Sequence, residues 1–187
     1  NHAQSMPLQD LKKYVQGLET CLSTHTVVIA AKLQLLTATR MIEIRRAEWS
    51  EFDLDAAKWN IQPDKMKRRR FHQVPLPKQA IEILNELQSI TGHQQRLFPN
   101  TRNPNLMMGA TTINCVMSTM GLPYTAHDIR ATAATHLSEK GYPKEYIDAQ
   151  LSHAKENATD AAYFHARYIA ARAEMMQDWA DFLDSLK

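Results

Sequence analysis

Cysteine and glycine are scarce in this chain, and neither sign of charge dominates. Its 187 residues include two cysteines and five glycines, and 22 basic side chains face 20 acidic ones for a net charge of +2. Cys21 and Cys115 are too few and too far apart for a disulfide framework or a zinc site. The longest purely apolar run, Val27 to Ala31, stops at Lys32, which excludes a membrane-spanning helix there. No secretory signal is visible, so a reducing cytoplasm is the default compartment. Apolar residues make up 44% and charged residues 22%, an ordinary globular composition, long enough for one domain and short for two. The chain begins without Met, and residues 1–10 are read as linker or cloning remnant ahead of a domain over 11–187.

Near-neutrality conceals a segregation of charge. Lys65, Lys67, Arg68, Arg69 and Arg70 form one dense block, whereas the last helical stretch carries Glu174, Asp178, Asp181 and Asp184. A protein that meets a polyanion with one face can look neutral as a whole.

Periodicity predicts a mainly helical chain. Leu11 to Leu22 reads as a short helix, and Thr26 to Thr37 as a helix apolar on nearly all sides and therefore central. Trp49 to Phe52, Lys58 to Gln62 and Gln73 to Leu76 read as three antiparallel strands, with the basic block at the tip between the last two. Pro77 to Thr91 is an amphipathic helix with Ile81, Leu84, Leu87 and Ile90 as its inward stripe. Thr112 to Met120 is a further helix. The methionines are assigned to gap-filling in the core. Beyond Tyr163 a helix runs to Leu186, with Ala170, Met175, Met176, Trp179, Phe182 and Leu183 as a docking face. That face must bury itself either on its own domain or on a neighbouring subunit.

The richest stretch runs from Thr125 to Tyr168. It holds His127 and Arg130 as H-x-x-R, His153 in L-S-H-A, and Tyr163 ten positions after His153. A helix starting at Asp128 puts His127 beside its first turn and Arg130 one turn on. Gly141 ends that helix and Pro143 starts the next, which brings His153 to the end of a second short helix. Asn157 or Thr159 can cap a third, placing Tyr163 near a helix N-terminus that favours a phenolate or phosphate. Upstream, Arg40 and Glu43 are helical neighbours at i and i+3. Tyr163 and Tyr168 lie about 140° apart around a helix axis, so both cannot face one phosphate.

Arg40, Lys67, His127-x-x-Arg130, His153 and Tyr163, in that order, resemble the tyrosine recombinases, or phage integrases. The segment AAYFHARYIAARAEMMQDWADFL is similar to integrases of prophages and genomic islands. The resemblance implies a helical catalytic domain with a small three-stranded antiparallel sheet at one edge, lacking the family's upstream DNA-binding domains. It makes Tyr163 the nucleophile, Arg40 and Arg130 the phosphate clamp, His127 the group that exchanges a proton or hydrogen bond with the tyrosine, His153 a donor to a phosphate oxygen, and Lys67 the acid, with Lys65 as runner-up. Glu43 is cast as the residue that orients, and Lys65, Arg68, Arg69 and Arg70 as DNA contacts. Where the family writes Gly-x-Arg-Pro-Gly/Ser-Glu, this chain has Ala38, Met41 and Ile42 at the variable places.

The implied reaction is site-specific recombination of double-stranded DNA at attachment sites. It needs no cofactor and no metal, since two arginines, a lysine and two histidines supply the positive charge. The implied setting is the bacterial cytoplasm at the nucleoid, with a monomer in isolation and a tetramer on DNA joined through the C-terminal helix. Two other classes compete. A DNA-binding module without activity would use Ala133 to His153 as a helix-turn-helix. A metal-dependent nuclease would use His127, Asp128 and His153, against the shortage of clustered carboxylates.

Overall fold

The computed structural model describes residues 3–66, 69–153 and 168–187. Lys67, Arg68 and Tyr163, and the third helix expected after Asn157 or Thr159, lie outside the described residues. Helices α1 (Leu8–Glu19), α2 (His25–Thr37) and α3 (Met41–Arg46) come first. Strands β1 (Phe52–Asp53), β2 (Lys58–Ile61) and β3 (His72–Pro75) follow. Then come α4 (Lys78–Thr91), α5 (Thr112–Thr119), α6 (Ala126–Glu139), α7 (Lys144–Gln150) and α8 (Ile169–Asp184).

Helix α2 is the hub, because an apolar surface on every side can be satisfied only by neighbours on every side. It contacts α1, α3, α4, α5, α6 and α8, and Ala30, Ala31 and Leu33 are fully buried. The sheet has the order β1-β2-β3, antiparallel throughout, with Phe52 opposite Trp59 and Trp59 opposite Val74. Trp59, Ile61 and Val74 point into the core, the period-two alternation of a half-buried strand.

Three local expectations are corrected. Trp49–Glu51 forms a 3₁₀ turn rather than a strand. The Glu51 carboxylate accepts the Glu48 backbone N–H at 3.0 Å and closes the turn before pairing can begin, which leaves two residues of β1. In α4 the inward stripe is Ala80, Leu84, Leu87 and Thr91, and Ile90 is 37% exposed. Steps of three lag about 60° each behind a 3.6-residue turn, so the stripe read from Ile81 to Ile90 walks off the buried face. The fold also starts earlier than Leu11: Met6 is buried, its N–H bonds Thr132 Oγ1 at 2.9 Å, and α1 begins at Leu8.

The apolar face of the C-terminal helix is packed within this chain. Met175, Met176 and Trp179 are fully buried and Leu183 nearly so, and α8 packs on α2, α6, α7 and β3. Trp179 Nε1 donates to Leu35 O at 2.8 Å, inside the hub helix. The acidic side is engaged too: Gln79 Nε2 donates to Asp181 and Asp184, each at 2.8 Å, and Tyr142 donates to Asp178. Of the two ways to bury this face, the chain takes its own core, and Ala170 is exposed rather than part of it. Among the described residues no helix is long and apolar enough to cross a membrane.

Replacing Trp179 by Ala removes a fully buried ring and its hydrogen bond. The expected fall in unfolding free energy is about 3–5 kcal/mol, read from urea denaturation; an unchanged midpoint would detach α8 from the core.

Candidate active site

The site is built on the C-terminal ends of two helices. The last carbonyls of a helix have no intrahelical partner and carry the negative end of its dipole, so a cation is favoured there. Helix α2 stops because Ala38 turns left-handed, with φ 51° and its N–H on Gln34 O at 2.8 Å. An L-residue adopts this at a cost of about 1–2 kcal/mol, a cost that glycine would not carry. Helix α7 stops in a similar manner, with Ser152 at φ 50°. His153 N–H then bonds back to Asp148 O at 2.9 Å.

Arg130 joins the two ends. Its Nη1 donates to Ala38 O at 2.5 Å and its Nη2 to Leu151 O at 2.6 Å. The side chain is 4% exposed, and burial followed by the nearby Arg40 charge pulls the guanidinium down to about 10, which leaves it cationic at neutral pH. Arg40 reaches the same turn, donating through Nη2 to Ser152 O at 3.3 Å. It begins α3 as the N-cap residue, and Glu43 holds it twice, accepting the Arg40 backbone N–H at 2.7 Å and Nη1 at 2.9 Å. Glu43 is 3% exposed, so this ion pair is shielded from solvent on its acidic side.

His153 stands at the same turn, with Nδ1 3.3 Å from Asp148 Oδ1. Burial lowers its pKa, the Asp148 hydrogen bond raises it, and Arg130 and Arg40 lower it again; the net shift is downward. Arg40, Arg130 and His153, separated by up to 113 positions in the chain, thus share one turn.

His127 lies apart from these carbonyl contacts. Helix α6 begins at Ala126, two residues earlier than expected, because Thr125 caps it with Asp128 in a reciprocal pair. His127 is therefore inside the first turn and exposed, in a depression of about 360 Å³ shared with Gln4, Tyr124 and Asp128. Asp128 is fully engaged, accepting from Gln4 N at 2.7 Å and from Thr125 N and Oγ1 at 2.8 and 2.7 Å. No group of three His, Cys, Asp or Glu capable of holding a metal occurs among the described residues. The metal-site reading on His127, Asp128 and His153 finds no cluster there.

The basic block divides. Lys65 Nζ sits 3.1 Å from Glu48 and 3.0 Å from Glu51, and donates to Arg46 O at 3.3 Å. Its charge is balanced by two carboxylates under the hairpin. Arg69 is exposed with φ 48°, and Arg70 is half-buried.

Two further residues had no sequence signal. Gln150 Nε2 donates to Thr37 O at 2.8 Å, and its Oε1 accepts from Arg172 Nη2 at 2.8 Å. Arg172, fully buried, also donates to Gln73 O at 2.8 Å, which links α8 and β3 to the end of α7. Gln and Arg in helices ordinarily read as solvated surface, and only the contacts reveal this role.

The His153 environment fixes a pH signature. A native imidazole that binds its proton less readily than the unfolded chain contributes stability above about pH 6.5, lost as pH falls through the lowered native value. Asp148→Asn removes the influence that raises the pKa, so His153 titrates lower still in NMR of its ring protons. A rise instead would separate His153 from Asp148.

The chain matches the phage integrase family over residues 4–169. It is 38% identical over 152 residues to prophage integrase IntA of Escherichia coli (strain K12), covering 80% of this chain and 37% of that protein. It is 33% identical over 201 residues to the integrase of Enterobacteria phage P4, covering 98% of this chain and 46% of that one. The chain thus spans less than half the length of these two relatives. In fold it is similar to the XerH site-specific recombinase, whose structure is of a complex with difH substrate before cleavage. The TM-score is 0.67 at 19% identity, over 84% of this chain and 50% of that one. The helical fold with its edge sheet, the convergence of Arg40, Arg130 and His153, and the match over residues 4–169 together make the chain a member of the phage integrase family.

Proposed function

We propose that this chain is the catalytic domain, residues 11–187 with the short segment packed ahead of them, of a tyrosine recombinase. It cuts and rejoins double-stranded DNA at attachment sites of a mobile element. The observation that carries the reading is the meeting of Arg40, Arg130 and His153 at the 151–153 turn. A phosphodiester resists attack because its oxygens are anionic and an alkoxide leaves poorly. Two guanidiniums held in fixed positions stabilise the charge that gathers on the non-bridging oxygens.

In this reading Tyr163 Oη attacks phosphorus and forms the 3′-phosphotyrosine bond while the P–O5′ bond breaks. Lys67 gives its proton to the departing 5′-oxygen, His127 takes up the tyrosine proton, and His153 donates a hydrogen bond to a phosphate oxygen. Rejoining reverses each step: the 5′-hydroxyl of the other duplex attacks, its proton passes to Lys67, and the tyrosine leaves. The bond energy is conserved in the phosphotyrosine, so no nucleotide triphosphate is consumed. Two duplexes cut on both strands need four such sites, so the working assembly is a tetramer on DNA at the bacterial nucleoid.

A nicked duplex that traps the cleaved state tests this directly. Wild type should yield a covalent protein–DNA adduct. Tyr163→Phe should bind DNA nearly as well and yield none, whereas an adduct mapping to Tyr168 would overturn the assignment. Arg40→Ala or Arg130→Ala should slow cleavage by about 10²-fold or more.

The leaving-group role has its own test. Lys67→Ala should cleave ordinary DNA slowly and recover on a 5′-bridging phosphorothiolate, whose thiolate leaves without a proton. Recovery of Lys65→Ala in place of Lys67→Ala would move the acid to Lys65.

A further inference from the structure

Helix α3 carries Arg40 at its start and Arg45 and Arg46 at its end. Arg45 and Arg46 open into a cleft of about 510 Å³, walled by Glu48, Lys65 and Arg96 and by the loop at Asn105. The balance of charge around it is uneven. Four cationic side chains, Arg45, Arg46, Lys65 and Arg96, face two acidic ones, Glu48 and Asp64. Glu48 is already shared, lying 3.1 Å from Lys65 and 3.8 Å from Arg96, and Lys65 is further held by Glu51.

Arg45 and Arg46 have no carboxylate within ion-pair distance among the described residues. Arg45 is instead fixed by Nε, which donates to Met108 O at 2.7 Å, while the side chain lines the cleft. Arg46 is exposed beside it. Like charges held together without a counter-ion repel, and an anion in the cleft relieves the repulsion. Guanidiniums suit an oxyanion such as phosphate because they grip two oxygens at once.

The placement says which phosphate. Arg46 lies six residue steps beyond Arg40, about 9 Å of helix axis, against about 3.4 Å per nucleotide along one DNA strand. We propose that this cleft is a second phosphate seat, taking a backbone phosphate about two to three nucleotides from the one clamped by Arg40 and Arg130. It fixes the register of the strand on the enzyme without reading bases. Lys65 and Glu48 form its floor, and Arg45, Arg46 and Arg96 hold the phosphate.

The inference rests on the recombinase reading but is tested by binding rather than by cleavage. The slope of log affinity against log salt concentration is measured for the chain on a short fluorescent duplex. Removing one cation from a phosphate should flatten the slope by about 0.9, so Arg46→Ala and Arg96→Gln should each do so and weaken binding several-fold. Arg46→Lys keeps the charge and should restore most of the slope, and Lys12→Ala, on the exposed side of α1, should leave it unaltered. Wild-type slopes in both Arg46→Ala and Arg96→Gln overturn the seat. Inorganic phosphate that raises the melting temperature of wild type but not of Arg46→Ala, with DNA slopes unchanged, makes the cleft a site for free anions and also overturns it. An adduct with unchanged slopes sinks this inference alone, and altered slopes without any adduct sink the recombinase reading alone.

Discussion

The bridge from the Arg130 guanidinium to the carbonyls of Ala38 and Leu151 is the interaction on which the site depends. Each carbonyl belongs to the end of a helix, where backbone oxygens lack partners and the dipole is negative. A buried cation is costly unless its surroundings replace water, and here two helix ends do so. The bridge fixes the distance between α2 and α7, and with it the distance from Arg40, which follows α2, to His153, which follows α7. Removing it would cost more than one cation, because the frame for the other two residues would go with it.

Around that bridge lies a second layer of buried polar groups. Gln34 donates to Ala126 O at 2.8 Å and Gln150 to Thr37 O at 2.8 Å, so amide side chains tie the end of α2 to α6 and α7. Arg172 extends the web to α8 and β3, yet its Nε and Nη1 have no hydrogen-bond partner among the described residues. Burial brings its pKa down to about 10, and no carboxylate among the described residues offsets that cost. Such a group contributes definition more than stability: the polar web has one satisfied arrangement, whereas an apolar core tolerates several. The C-terminal helix is therefore anchored to the active-site frame by polar contacts as well as by Trp179 and the methionines.

Much of this was legible in the sequence, for identifiable reasons. The hub helix showed itself because an all-round apolar stretch has only one solution in water. The α6–α7 corner showed itself through Gly141 and Pro143, whose backbone preferences are local. Arg40, Glu43, Arg130 and His153 were visible as motifs. Other elements failed for equally local reasons. Trp49–Glu51 alternates like a strand, but the Glu51 carboxylate competes for the backbone and wins. Ile81 to Ile90 looked like a stripe because spacing by three mimics a helix over one turn and drifts over three.

The sequence by itself determined the helical class, the small sheet and the hub, since these follow from periodicity and backbone preference. Only the tertiary structure decided how individual residues are used. Lys65 and Arg46 read alike as cations in the sequence, yet Lys65 is enclosed by Glu48 and Glu51 while Arg46 faces an open cleft. The apolar face of α8 asks only for an apolar partner, and in this chain α2 supplies one. A charge or an apolar face fixes what a residue needs; which partner meets that need depends on elements brought together from far along the chain.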